Sequence, residues 1–555
     1  MSSAAPVNVA AHLAEMARRQ PDAPAIFIPT GENQQGTTTY QKLSFAELDQ
    51  MSNRMALALD SAGIRRGVRT VLMVPPGVEF FALTFALFKV GAVPVLVDPG
   101  MGTGNLKTCL AEAAPAAFIG ITKAHLARLL LGWGKPTLKI LLTVGKKYGW
   151  GGMTLAKAVA RVATSCRYQA VQPETDETAA ILFTSGSTGV PKGAVYSHGN
   201  FAAQVEMLRG VYDIRPGEID LPTFPLFALF APALGMTSVV PEMDFTRPAA
   251  VDPVKIVTAI ETFQVTTMFG SPALIDRLGR YGKTRQLKLP SLKRAISAGA
   301  PVPARVLERF VSMLDEPAEI FTPYGATEAL PVCSIGSREI LAETRHATDQ
   351  GKGVCIGRPV AGTVLEIIAI DDAPIASWDN NLKVADGTVG EIVVKGAQVT
   401  REYFNRTEST ALAKIKDLAD DSFYHRMGDL GYRDQQGRIW FCGRKSHRVV
   451  TAAGTLFTIP CEGIFNTHKE VLRTALVGVG PVGRQRPVLC VELEKGTDTA
   501  EVERIYQELL AIGSRHAITR PITRVLFHPA FPVDIRHNAK IFREKLALWA
   551  AEKSV

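Results

Sequence analysis

Thr184-Ser185-Gly186-Ser187-Thr188-Gly189-Val190-Pro191-Lys192-Gly193 is the stretch on which the fold turns. It follows an apolar run, Ala179 to Phe183, that reads as a strand. Its three glycines give backbone access, and the hydroxyls and amides form a concave donor surface suited to phosphate oxygens. Lys192 adds a point charge where the outer phosphates would lie. A Walker loop needs Gly-Lys followed by Ser or Thr at the start of a helix, whereas here Pro191 precedes the lysine and Gly193 follows it. The chain is therefore not a P-loop NTPase. A flexible Ser/Gly linker is the plain alternative, but linkers rarely abut a buried strand and end in Pro-Lys-Gly.

Outward from that loop, short β-rich runs alternate with helical stretches. Thr70 to Val74, Val93 to Asp98, Ala116 to Ile121 and Thr266 to Gly270 read as strands, with a helix near residues 78 to 90. That order predicts an α/β fold of parallel sheets covered by helices. Ser44, with Glu47 three residues on, marks a capped helix start. After about residue 355 the strands crowd together between Gly and Asp turns, which predicts a β-rich subdomain reaching Arg444. Beyond it a short α+β pattern ends in a helix. We expect a body over residues 1–444 and a small lid over 445–555. The length, 555 residues, at roughly 150 per domain allows three or four such units.

Composition narrows the class. Apolar residues make up 46% of the chain and charged residues 21%, an ordinary globular balance. Lys plus Arg number 62 against 53 Asp plus Glu, for a formal net charge of +9. No block of five or six like charges occurs, so neither a nucleic-acid arm nor a polybasic membrane patch is expected. Seven scattered cysteines without a C-x-x-C pair support neither a zinc ribbon nor a disulfide framework, and suggest a reducing, cytoplasmic setting. The first 24 residues lack a charged start followed by an apolar core, so no signal peptide is expected. Leu221 to Pro241 carries no charge, yet Pro222, Pro225, Pro232 and Pro241 break it. It reads as a buried strand, loop and helix start rather than a membrane span.

Rival motifs fall away. Gly478 to Gly483 matches G-x-G-x-x-G, but Arg484 to Leu493 reads as a turn and another strand, so no helix N-terminus is available for a pyrophosphate. The ten histidines include no H-E-x-x-H spacing, and no G-x-S-x-G elbow occurs. His198 reads equally well as a functional position just after the glycine-rich loop and as a packed or capping residue.

The decapeptide resembles the signature loop of the adenylate-forming (ANL) superfamily, which holds acyl-CoA synthetases, peptide-synthetase adenylation domains and luciferases. The resemblance extends over nearly the whole chain. Ser297-Ala298-Gly299-Ala300-Pro301 is similar to the turn that carries the adenine, and Tyr324-Gly325-Ala326-Thr327-Glu328 to the central motif. Gly428-Asp429, then Phe441-Cys442-Gly443-Arg444, resemble the ribose-binding segment and interdomain hinge. His537-Asn538-Ala539-Lys540 stands in the place of the C-terminal catalytic lysine. The resemblance implies ATP and Mg²⁺, with Thr184 to Gly189 and Lys192 on the phosphates. Tyr324 can stack on the purine and Thr327 donate to the α-phosphate. Glu328, with Thr188, is implied to hold Mg²⁺. Asp429 suits the ribose hydroxyls, Arg444 the sugar or phosphate, and Lys540 the charge that develops at the α-phosphorus. A carboxylate attacks that phosphorus and pyrophosphate leaves. The carboxylate is already a nucleophile, so the enzyme's work is positioning and charge stabilisation.

Two departures bear on the second half-reaction. Ala228, in the run Phe224 to Phe230, stands where many acyl-CoA synthetases carry a histidine or large aromatic, which suggests an open acyl pocket lined by Phe227, Ala228, Phe230 and Leu330. Ser446 replaces the usual acidic hinge residue, and Thr451 to Leu456 replaces the loop that normally admits a pantetheine thiol. These segments resemble one branch, the β-lactone synthetases of bacterial long-chain olefin biosynthesis. That implies a long-chain 2-alkyl-3-hydroxyalkanoic acid closed through its own 3-hydroxyl, with CoA not expected and assembly with other olefin-pathway enzymes allowed. The alternative is a long-chain fatty acyl-CoA synthetase or an acyl-AMP ligase.

Overall fold

The computed structural model describes residues 7–162, 167–184, 191–224, 230–534 and 540–553, with backbone only at Pro99, Thr184 and Thr499. Two seven-stranded sheets make up most of the body. The first runs Glu319–Phe321, Arg294–Ile296, Thr267–Phe269, Ile219–Pro222, Thr237–Val239, Pro24–Glu32 and Thr38–Ser44. The second runs Met153–Thr154, Ile140–Val144, Ala117–Ile121, Arg69–Met73, Val93–Leu96, Thr178–Thr184 and Lys192–Ser197. Each is parallel except for one antiparallel edge strand, Thr38–Ser44 and Lys192–Ser197 respectively. The expected α/β class is thus observed. The hairpin Pro24–Glu32/Thr38–Ser44 lay outside the sequence reading, because Pro, Gly and Lys interrupt its alternation.

Helix Val78–Lys89 explains why the two sheets cohere. It is apolar nearly all round, and it is buried from Phe80 to Lys89. One hydrophobic cluster joins its phenylalanines to Ile26 and Ile28 of the first sheet and to Leu72, Ala117 and Ile119 of the second. The helix ends on Lys89, whose side chain is 2% exposed. Its ammonium donates to Asp49 Oδ1 at 2.7 Å, Ser52 Oγ at 2.7 Å and Asn53 Oδ1 at 2.8 Å. All three acceptors lie on Phe45–Ser61, the helix that Ser44 and Glu47 close with a capping box.

The third sheet is antiparallel. Its path runs Tyr324–Ala326, Ala329–Ser334, Val354–Pro359, Ile439–Arg444, Ser422–Arg433, Gly390–Lys395 and Val364–Ile368, with Lys414–Asp417 beside Ser422–Arg433. It therefore starts some thirty residues before the β-rich texture becomes evident in the sequence. After Arg444 come the hairpin Val449–Thr451/Gly454–Leu456 and a three-stranded sheet of Val471–Val479, Arg486–Leu493 and Val525–Phe527. Gly478 is a strand residue there and Gly480 to Gly483 form the following turn, so no dinucleotide loop exists. The uncharged stretch from 221 supplies the end of strand Ile219–Pro222, the short helix Phe230–Ala233 and Thr237–Val239. Among the described residues no helix is long and apolar enough to cross a membrane.

Removing the counter-ion of a buried lysine leaves an uncompensated charge. Asp49→Ala is expected to lower stability by about 3 kcal/mol, read as an earlier midpoint in urea unfolding followed by tryptophan fluorescence, with Asp49→Asn losing less.

Candidate active site

The Ser/Gly-rich segment begins and ends on two neighbouring strands. Thr178–Thr184 pairs antiparallel with Lys192–Ser197, and Thr184 stands opposite Lys192. Lys192 thus sits on the return strand, its Nζ 5.2 Å from the centre of the Tyr403 ring. Gly193 serves packing rather than phosphate access: a Cβ there would lie 2.8 Å from Ile181 Cγ2 and 3.0 Å from Phe183 Cζ. Ser185, Gly186, Ser187, Thr188 and Gly189 lie outside the described residues, as do Phe227, Ala228 and His537 to Ala539.

Thr327 and Glu328 form a two-residue turn between Tyr324–Ala326 and Ala329–Ser334, with Ala326 opposite Ala329. The turn is fixed through its carbonyls. Tyr196 donates its hydroxyl to Thr327 O, and Thr400 donates N–H and Oγ1–H to Glu328 O at 2.9 and 3.2 Å. Tyr403 donates its hydroxyl to Glu328 Oε1 at 2.7 Å, holding a carboxylate that is itself buried. At Gly325 a Cβ would come 2.8 Å from Ala329 O and from Leu330 Cβ, so the hairpin admits no side chain there.

Asp429 and Arg444 face each other on neighbouring strands of the same sheet. Tyr324 donates its hydroxyl to Asp429 Oδ2 at 2.6 Å. Arg444 Nε lies 3.1 Å from Oδ1, yet that buried oxygen accepts no hydrogen bond from the described residues. Burial raises the Asp429 carboxyl above its ordinary value, against the pull of Arg444, Tyr324 and Lys540. Lys540 lines the same cleft as Asp429 and Arg444. Its backbone N–H donates to Asp534 Oδ1 at 2.9 Å. Asp429 in turn raises the Arg444 guanidinium, which remains charged.

These groups border a cleft of about 2400 Å³. Gly299, Ala300 and Pro301 line it from the turn after Arg294–Ile296, together with Lys192, Tyr324, Gly325, Thr327, Glu328, Asp429, Arg444, Ser446 and Lys540. Gly299 has φ +101°, a backbone that only glycine adopts readily. Phe230 and Leu330 line the same cleft, which continues into apolar space bounded by Tyr212, Met236, Phe269 and Ile296. Ser446 lies in the single turn Lys445–His447 that follows strand Ile439–Arg444.

Several residues of this neighbourhood escaped the sequence reading. Tyr403 carries no motif of its own. Lys414 is buried and donates to Thr400 O; burial lowers its ammonium to about 7, opposed by Glu328. His425, opposite Lys414 in the sheet, is held well below the usual histidine range by burial and by Lys414. Asp220 lines the apolar end of the cleft, and burial raises its carboxyl to about 8 despite nearby Arg294. His198 is a packed residue: it is buried against Phe88 and lowered to about 4 by burial. Elsewhere, His468, Glu470 and Glu508 lie close enough to hold a metal, but Arg504 binds both glutamates, which makes the group an ion-pair network.

Asp220 yields a pH test. Its folded value lies above the unfolded one of roughly 4, so folding takes up a proton and stability falls as pH rises from there toward 8. Asn does not titrate. The melting temperature of Asp220→Asn relative to wild type is therefore expected to rise between about pH 5 and about pH 8, as read by differential scanning fluorimetry.

The family model for AMP-binding enzymes matches residues 13–404. The olefin beta-lactone synthetase of Xanthomonas campestris pv. campestris is 53% identical over 552 residues, which cover 99% of this chain and 98% of that one. The protein of the same name from Stenotrophomonas maltophilia is 52% identical over 551 residues, covering 98% of each. Among solved structures, the amide bond synthetase McbA from Marinactinospora thermotolerans superposes with a TM-score of 0.79 over 98% of this chain and 99% of that chain. At 21% identity that is a likeness of fold. The chain belongs to the family of AMP-binding enzymes.

Proposed function

We propose that this chain, an ATP-dependent AMP-forming ligase, adenylates a long-chain 2-alkyl-3-hydroxyalkanoic acid and closes it through its own 3-hydroxyl to a β-lactone. The observation that carries the reading is the 53% identity, over nearly the whole of both chains, to a protein named olefin beta-lactone synthetase. The cleft supports it, because polar groups suited to a nucleotide adjoin apolar space that two alkyl chains could fill.

In the first step a substrate carboxylate oxygen bonds to the α-phosphorus of ATP and pyrophosphate leaves. The Asp429 Oδ1 that lacks a donor among the described residues accepts from a ribose hydroxyl, and Tyr324 fixes the other oxygen. Arg444 and Lys192 offset phosphate charge, Thr327 donates to the α-phosphate, and Lys540 bridges the carboxylate and the α-phosphate as charge develops. Glu328 offers a carboxylate for Mg²⁺ and Thr188 a hydroxyl, and the ion when bound screens the charge between nucleophile and triphosphate. In the second step the 3-hydroxyl oxygen bonds to the activated carbonyl carbon. AMP leaves and the hydroxyl proton passes to water. The mixed anhydride is reactive enough to cover the strain of a four-membered ring, and no second substrate enters.

On this reading residues 1–444 are the adenylating body and 445–555 a lid hinged at Ser446. Lys540 lines the same cleft as Asp429, which supports a lid closed for adenylation.

Lys540→Ala is expected to cut pyrophosphate release by about three orders of magnitude while ATP binding by calorimetry stays within about twofold. Near wild-type release would remove Lys540 from the mechanism. Mass spectrometry of products from a 2-alkyl-3-hydroxy acid is expected to give the β-lactone and AMP whether or not CoA is present. Acyl-CoA as the sole product would reassign the chain to the acyl-CoA synthetases.

A further inference from the structure

Residues 113 to 173 contain nine Lys and Arg and no Asp or Glu. The formal charge of the entire chain is +9, so the whole excess resides in this one segment. No run of like charges marks it, and the expectation that the chain lacks a basic membrane patch rested on runs alone.

The segment builds one end of the second parallel sheet, through strands Ala117–Ile121, Ile140–Val144 and the edge strand Met153–Thr154. Helix Thr122–Leu131 follows the first of them. Its Ala124 and Ala127, with Trp133 beyond, line the cleft. On the opposite side of the helix Leu126, Leu129 and Leu130 are 44, 51 and 85% exposed, at the i, i+3, i+4 spacing of a single stripe. A soluble surface rarely concentrates large aliphatic side chains in this way. Lys123 stands one turn before Leu126. Thr122 donates its hydroxyl to Lys146 O, which brings Lys146, Lys147 and Tyr148 to the start of the same helix. Tyr148, 59% exposed, packs on Trp150, whose ring stacks on His125 of the helix. Lys135 and Lys139 follow the helix and are exposed.

We propose that this face docks on a bilayer containing anionic phospholipid, with the leucine stripe in the interface and the lysines among the headgroups. The composition selects lipid over protein: protein interfaces are depleted in Lys and favour Arg and aromatics at their centre, whereas here lysines rim an aliphatic stripe. The position fits as well. One helix, about 10 Å thick, separates the leucine face from the cleft, so an acid whose alkyl chains are dissolved in the bilayer would lie one helix away from its site. That last consequence rests on the proposed substrate; the docking itself does not.

Flotation of the full-length protein with vesicles tests it. Vesicles of phosphatidylglycerol and phosphatidylcholine are expected to bind at least about tenfold more protein than phosphatidylcholine alone, and about 0.5 M salt should abolish the difference. The double substitution Leu126→Ser with Leu130→Ser, at exposed positions, should cut binding about tenfold, and Lys146→Glu with Lys147→Glu should do likewise. Both variants should keep wild-type ATP–pyrophosphate exchange on detergent-dispersed substrate. Equal binding to both vesicle types, or binding untouched by the leucine substitutions, would overturn the proposal. So would a dimer or a captured protein partner that depends on Leu126 and Leu130 while vesicles stay unbound. Vesicle binding is read without turnover, so its failure and that of the lactone reading are distinguishable.

Discussion

The Asp429 carboxylate is the constraint around which the site is organised. It is buried, and a buried charge persists only where neighbours offset its lost hydration. Here the neighbours come from separate places in the chain. Tyr324 reaches it from the first hairpin of the antiparallel sheet, Arg444 from the adjoining strand, and Lys540 from the C-terminal region. Partly offsetting this one buried charge thus involves hairpin, sheet and C-terminal region around the same cleft.

The Thr327–Glu328 turn obeys the same logic by different means. Its two carbonyls are occupied by Tyr196 and Thr400, which belong to the second parallel sheet and to the loop after Gly390–Lys395. The turn thus cannot shift without breaking bonds to two other elements. Tyr403 meanwhile fixes one oxygen of Glu328 and lies beneath Lys192, so that carboxylate and that ammonium share one aromatic support. Such fixed supports are what catalysis by positioning requires, since little reorganisation remains for the reacting state.

Much of this was legible in the sequence because motif residues lie next to one another in the chain. Tyr324, Thr327 and Glu328 form one hairpin, and Asp429 and Arg444 flank another, so local spacing preserved their relationship. The parallel sheets were legible for a similar reason, since their strands are short apolar runs. What remained hidden was placed by tertiary contacts. In Lys414–Asp417 the two lysines occupy alternate positions on one side of the strand, yet Lys414 is buried and Lys416 exposed. The strand lies against Ser422–Arg433 on one side, and the carbonyl of Thr400 accepts from the inward lysine. Tyr403 and Asp220 were hidden likewise, because burial is a property of neighbours that sequence spacing does not carry.

Charge shows the same division between local and global signals. Outside residues 113 to 173 the basic and acidic residues balance in number. Lys192, Arg444 and Lys540 therefore do not belong to a generally basic surface; they are drawn together by the fold around Glu328 and Asp429. A triphosphate would be held by these few groups in a partly dehydrated cleft, where salt screens weakly. The field felt at a distance comes instead from the acid-free face, which water and salt screen freely. The two electrostatic features therefore act at different ranges. One orients reactants over a few ångströms, and the other can orient the whole molecule before any substrate arrives.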